Sequence, residues 1–216
     1  MRIYCISGLG ADERVFEKLK LDAEMIHLNW IEPNKNEDLK SYALRLSEKI
    51  DQSQPFCLMG VSFGGMIATE IGKHLNPVKV FLISTAEISD ELPLHYRAFG
   101  KTNLSKLIPS KLYDMPKGMA SFMFGTDEKE LLGKILDDTD PSFTKWAIGA
   151  LTSWDNKSRL VNSYKINGTK DRLIPLNSHP SHYTVQNAGH FMIYDKADEI
   201  SKVVNQQLDL THHNNA

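Results

Sequence analysis

Gly60-Val61-Ser62-Phe63-Gly64 places one serine between two glycines, directly after the apolar run Phe56-Cys57-Leu58-Met59 and directly before a segment in which Ile67, Ala68, Ile71 and Leu75 recur at helical spacing. An apolar run without polar alternation suits a strand buried on both faces of a parallel sheet. A serine at the corner between such a strand and a helix has a strained backbone and a raised, accessible hydroxyl. The flanking glycines remove side chains that would collide there. The following helix directs its free N–H groups at the same corner, where they favour developing negative charge. Those are the requirements of a nucleophile.

A serine hydroxyl needs a base beside it at neutral pH, usually a histidine, and that imidazole needs a carboxylate to hold its tautomer. Gly189-His190 follows a predicted strand over 182–186, and Gly168-Thr169-Lys170-Asp171 follows a predicted strand over 159–167. The order Ser62, Asp171, His190 thus puts each residue just past the end of a different strand, so all three are expected at one sheet edge. Glu87, after the strand over 78–84, is a rival carboxylate; Asp171 is preferred. The other histidines lack comparable context, and His27, mid-strand, is read as structural.

The elements that must position these residues follow in order. A strand over 2–7 leads into the loop Ser7-Gly8-Leu9-Gly10-Ala11-Asp12 and a short helix with Val15, Phe16 and Leu19 inward. The loop faces the carboxyl edge of the sheet, where open α/β sheets bind ligands. A second strand spans 23–29, and the helix after it buries Leu39, Tyr42, Ala43, Leu46 and Ile50, with Asn34 and Glu37 at capping-box spacing. Strand and helix alternating at this interval give parallel βαβ units with right-handed crossovers.

From residue 86 to about 158 the rhythm changes to helical patches over 94–99, 104–113, 128–136 and 141–151. Asp127 and Glu130 have capping-box spacing, and Asp140-Pro141 reads as a helix start. Tyr96, Phe99, Tyr113, Met119, Phe122, Phe124, Trp146 and Trp154 lie in this stretch, mostly to fix the insertion to the body, with a few expected to line a pocket. Lys101, Lys106, Lys111 and Lys117 read as a solvated face. A final helix starting near Asp195 buries Ala197, Ile200, Val203, Val204 and Leu208.

The chain of 216 residues is long enough for one domain with a large core. Lys and Arg (25) are offset by Asp and Glu (27), which argues against a nucleic-acid surface. No run approaches the ~18 apolar residues of a membrane span, and Met1 to Ser7 reaches a glycine loop before a signal core could form. Cys5 and Cys57, each in a predicted buried strand, read as packed thiols in a reducing cytoplasm.

Taken together, Gly60-Val61-Ser62-Phe63-Gly64, Gly168-Thr169-Lys170-Asp171 with Pro175, and Gly189-His190 make the chain resemble an α/β-hydrolase over nearly its whole length. The resemblance implies a doubly wound, mostly parallel α/β sheet of about six strands flanked by helices, beginning at the family's third strand, with a helical lid over 86–158 inserted before the last two strands of a single domain, 1–216. It implies Ser62, Asp171 and His190 as the catalytic triad. It implies an oxyanion hole from the backbone N–H groups of Phe63 and Leu9, with Ser7 replacing the histidine many members carry in that loop. The expected activity is hydrolysis of a small carboxylic ester or thioester through an acyl-enzyme on Ser62. No metal or organic cofactor is expected, and the expected partner is a small-molecule acyl substrate rather than nucleic acid or membrane. The same fold also hosts acyl transfer, C–C cleavage, lyase chemistry and non-catalytic binding.

Overall fold

In the computed structural model, residues 1–101, 117–176 and 181–214 are described. Six strands, β1 (Arg2–Ile6), β2 (Glu24–His27), β3 (Phe56–Val61), β4 (Val80–Ile83), β5 (Ser163–Gly168) and β6 (Tyr183–Val185), form one sheet in the order β2-β1-β3-β4-β5-β6. Every adjacent pair is parallel. Parallel neighbours need crossovers, and right-handed crossovers cover both faces with helices, so the central strands lose all contact with water.

The side-chain alternation makes this concrete. Tyr4, Ile6, Leu58, Val80 and Leu82 face a core shared with α1 (Leu39–Ser47), α2 (Phe63–His74) and α6 (Pro141–Ser153). Ile3, Cys5, Cys57, Met59, Phe81, Ile83 and Ile166 face the opposite core, closed by α7 (Met192–Asp195) and α8 (Ala197–Asn214). The two cysteines sit on the same face of neighbouring strands, with Cys57 opposite Ile3, and both are free and buried. Burial pushes both thiols up, that of Cys57 to about 11, which makes them inert packing groups.

Between β4 and β5 lie α3 (Leu94–Lys101), α4 (Lys117–Phe124), α5 (Lys129–Asp137) and α6. The helix expected over 104–113 lies outside the described residues, as do Tyr113, Lys106 and Lys111. The large side chains that anchor this insertion do so as expected. The Trp146 ring lies 4.3 Å from Tyr42 on α1, and the buried Trp154 indole donates to Glu70 on α2 at 2.8 Å. Met119 and Phe122, by contrast, are 57% and 61% exposed.

Several boundaries differ from expectation for local reasons. Glu37 does accept from the Asn34 amide at 2.8 Å, but the first helix starts later. Asp38 is its cap, accepting from Ser41 N at 2.7 Å, while Arg45 holds Glu37 in place. At the second expected capping box the helix is preceded by Glu128, whose side chain makes no capping bond; Thr126 Oγ1 accepts from Glu128 N at 3.0 Å, and Glu130 turns outward to Lys134. Asp140 caps α6 with Pro141 in the first turn, as predicted. The strand expected from 159 begins at Ser163. Arg159 and Leu160 instead hold the carboxylate of Glu87. The helix expected near Asp195 is split into α7 and α8.

Candidate active site

The site is assembled where β1, β3, β5 and β6 end. Ser62 follows β3 with φ 53° and ψ −121°, a left-handed backbone that a non-glycine residue adopts only when its surroundings enforce it. Enforcement comes from contacts that leave no room for side chains. A Cβ on Gly60 would collide with the Gly64 carbonyl, and one on Gly64 with the carbonyl oxygens of Ser7 and Ile6. The glycines thus let helix α2 begin directly against the end of β1. Ser62 N donates to Ile83 O at 3.0 Å, and its carbonyl accepts from Thr85 Oγ1 at 2.5 Å, so β4 holds the other side of the turn.

The first-strand loop closes on itself beside the serine. Ser7 Oγ donates to Ala11 O at 2.7 Å, Ala11 N to Gly8 O at 2.9 Å, and the Trp30 indole to Ala11 O at 2.8 Å. Ser7 therefore ties the loop internally. A Cβ on Gly8 would make ordinary contact, 3.5 Å, with Ser62 Cβ, which sets the loop against the Ser62 side chain. Among the described residues, neither the Leu9 nor the Phe63 amide has a protein acceptor.

The other two residues arrive together because their loops are bonded to each other. Thr169 N donates to Val185 O, Lys170 N to Ala188 O, and Asn187 N to Thr169 Oγ1, at 3.1, 2.9 and 2.8 Å. Asn187 takes φ 56° in the turn that sends His190 back over the sheet edge. Asp171 Oδ1 accepts from the Leu173 and Ile174 amides, both at 2.9 Å, leaving Oδ2 for His190 Nδ1 at 2.8 Å. His190 Nε2 is 2.8 Å from Ser62 Oγ. Asp171 and His190 are 5% and 3% exposed, so their contact is buried, where electrostatic interactions are stronger than in water, while Ser62 is half-buried.

Residues 10–203 match the sequence profile of the alpha/beta hydrolase family. The chain belongs to the alpha/beta hydrolase family. Solved structures agree at the level of fold. A thermophilic esterase from Thermogutta terrifontis superposes with a TM-score of 0.72 at 13% identity, over 98% of this chain and 90% of that one. The esterase EaEST from Exiguobacterium antarcticum gives 0.71 at 17% identity, over 97% and 92%. MenH from S. aureus gives 0.69 at 17%, over 98% and 94%. No curated protein matches the chain by sequence.

In this α/β-hydrolase the rival carboxylate has a different task. Glu87, 1% exposed, accepts from Arg159 Nη1 and Leu160 N, both at 2.9 Å, so both of its oxygens are committed away from the histidine. It belongs to a buried charged cluster in which Lys165, mid-strand on β5, reaches Glu91 at 2.5 Å. His27 lies on the edge strand with its ring 5.5 Å from Phe16. Reasoning from sequence missed Thr85, Trp30 and Phe124, the last with its ring 5.5 Å from the His190 ring. Thr85 follows a predicted strand, which was a usable signal; Phe124 had none beyond its aromatic type. Among the described residues, no group of three or more His, Cys, Asp or Glu is placed to hold a metal, and no helix is long and apolar enough to cross a membrane.

Proposed function

We propose that this α/β-hydrolase is a serine hydrolase cleaving a small carboxylic ester or thioester through an acyl-enzyme on Ser62, beneath a lid formed by the helices between β4 and β5. The observation that carries this reading is the unbroken relay of two 2.8 Å contacts, Ser62 Oγ to His190 Nε2 and His190 Nδ1 to Asp171 Oδ2. Asp171 Oδ2 accepts a hydrogen bond from Nδ1–H, which fixes the tautomer and leaves Nε2 with a free lone pair toward the serine hydroxyl.

His190 takes the Ser62 proton as the oxygen attacks the carbonyl carbon. The amides of Leu9 and Phe63 receive the oxyanion, an interaction worth about 3 kcal/mol per donor. His190 then protonates the leaving alcohol or thiol. Water, deprotonated by the same nitrogen, attacks the acyl-enzyme, and the second tetrahedral intermediate collapses to release the acid and restore Ser62. These steps call on no metal or organic cofactor. Cys5 and Cys57, free and buried on adjacent strands, favour a reducing compartment, and we propose the cytoplasm.

The test is turnover of p-nitrophenyl acetate and butyrate by the purified protein, with a fluorophosphonate probe followed by peptide mapping. Turnover, stoichiometric labelling of Ser62, and loss of both in Ser62→Ala by a factor of about 10⁴ to 10⁶ are expected. Full activity in Ser62→Ala, or labelling at another residue, would overturn the assignment. Tight binding of an intact ester without labelling would identify a binding protein instead.

A further inference from the structure

Among the described residues, the segment 122–126 of the helical insertion makes several contacts with the loops that carry Asp171 and His190. Phe122 O accepts from Arg172 Nη1 at 2.5 Å, and the same guanidinium lies 4.1 Å from the Phe122 ring centroid. Phe124 O accepts from Phe191 N at 3.2 Å. Gly125 packs backbone to backbone against Gly189, where an added Cβ would lie 2.6 Å from Gly125 O and 2.7 Å from Phe124 O. Thr126 Oγ1 donates to Asp195 Oδ1 at 2.9 Å, at the end of α7. The Phe124 ring stands edge-to-face, at 78°, against the His190 ring. This segment therefore touches the residue after the acid, the base itself, the residue after the base, and the helix that follows.

We infer that residues 122–126 clamp the histidine loop onto the body and that Phe124 is a positioning residue for His190. The proposal rests on the role of His190 given above. The loop needs such a restraint. It leaves β6 through Asn187, a non-glycine residue in the left-handed region that keeps its conformation where neighbours enforce it, and the acid loop and the segment 122–126 are such neighbours. Asp171 holds Nδ1 and Ser62 holds Nε2, both in the plane of the ring, so tilting out of that plane is opposed by packing against the ring faces and edges. Phe124 packs against the ring and opposes the tilting, and a displacement of the imidazole by about 1 Å is enough to cost roughly 10²-fold in rate. Seating of the insertion thereby becomes coupled to alignment of the base.

The experiment compares the full-length wild type with Phe124→Ala, Phe124→Leu and Phe124→Tyr, using p-nitrophenyl butyrate kinetics, fluorophosphonate labelling rates, thermal unfolding, and hydrogen–deuterium exchange of the segment 186–195. Phe124→Ala is expected to lower kcat about tenfold with KM changed less than about twofold, the size of effect an aromatic pair supports. Exchange across 186–195 should quicken while the central strands stay protected. Phe124→Leu, which keeps apolar bulk and spares the fold if alanine does not, should also lose kcat; Phe124→Tyr should recover it. An unchanged kcat, a change confined to KM, or a loss of activity that only follows the loss of thermal stability would overturn the clamp. If the wild type neither turns over esters nor labels, the hydrolase reading fails. Exchange in 186–195 then decides the clamp alone, and equal rates in wild type and Phe124→Leu reject it.

Discussion

Thr85 Oγ1 donates a 2.5 Å hydrogen bond to the carbonyl oxygen of Ser62, binding the end of β4 to the residue whose hydroxyl faces His190. The same side chain occupies the space next to Gly65, where an added Cβ would lie 2.6 Å from Thr85 Oγ1. A left-handed backbone at a non-glycine residue costs of order 1–3 kcal/mol and persists only where neighbours over-determine it. Thr85 is one of those neighbours. Thr85→Val keeps the shape and removes one of two donors to the Ser62 carbonyl, leaving the Gly65 amide at 2.9 Å as the other. It should lower unfolding stability by about 0.5–1.5 kcal/mol in urea titrations and reduce kcat, whereas Thr85→Ser, which keeps the donor, should retain most of both. A Thr85→Val protein with wild-type midpoint and turnover would remove this residue from the support of the turn.

The two carboxylates that the sequence left in competition should fail in opposite ways. Asp171→Asn can no longer hold His190 in the productive tautomer and should lower kcat by about 10⁴ with little change in unfolding midpoint. Glu87→Gln strips charge from a buried carboxylate held by the exposed Arg159 and the Leu160 amide, a change that costs about 1–3 kcal/mol, and should lower the midpoint while kcat per folded molecule stays near wild type. Kinetics normalised to active-site titre, read beside urea unfolding, separates the two.

An adduct should reveal the oxyanion site. In a crystal structure of the fluorophosphonate-inhibited protein, the phosphoryl oxygen is expected about 2.7–3.1 Å from both the Leu9 and the Phe63 amide nitrogen. An oxygen held by Phe63 alone, with Leu9 turned away, would mean that the loop closed by Ser7 and Ala11 does not supply the second donor.

The buried cluster should govern part of the acid stability. Burial on its own would raise the Glu91 carboxyl, but the charge and hydrogen bond of Lys165, with the Glu87 amide and Arg159, bring it below the ordinary glutamate value. A carboxyl whose folded value is depressed contributes stability that is complete above its unfolded value and is lost as pH falls toward the folded one. Burial also lowers Lys165, against the pull of Glu91, so the lysine gives no stabilising contribution of its own on the alkaline side. The urea midpoint should therefore fall as the pH drops through and below the ordinary glutamate value of about 4.3, and the fall should be shallower in the double variant Lys165→Met/Glu91→Gln. Identical slopes would show that the acid loss arises elsewhere, as at Asp12, Glu37 and Asp38, whose carboxyls are also held low by Arg14, Arg45 and the Ser41 amide.

Much of the architecture was legible in the chain because buried parallel strands carry an unbroken apolar signature. Phe56 to Met59 and Val80 to Ile83 have no polar alternation, and all four residues of each are buried. The β5 strand was harder to delimit because Lys165 interrupts its apolar pattern, and only the partner Glu91, contributed by a turn far away in sequence, makes that lysine tolerable inside. The capping boxes misled as well. Glu37 accepts from the Asn34 amide as its spacing favours, yet the helix starts one turn later because Asp38 caps it, while Glu130 is taken by Lys134 on the folded surface.

By itself the sequence determined the alternation of strand and helix, the glycines that permit a sharp turn at Ser62, and the order in which Ser62, Asp171 and His190 follow their strands. These are local properties, set by steric demands within a few residues and by the periodicity of apolar side chains. Only the tertiary structure decided which carboxylate meets His190, because Arg159 captures Glu87 across the insertion while the Leu173 and Ile174 amides turn Asp171 toward the imidazole. It likewise decided that Thr85 braces the turn and that Phe124 lies against the base. Those contacts join residues whose separation along the chain carries no periodic signal, and they come into being only when the sheet brings its carboxyl ends to one edge.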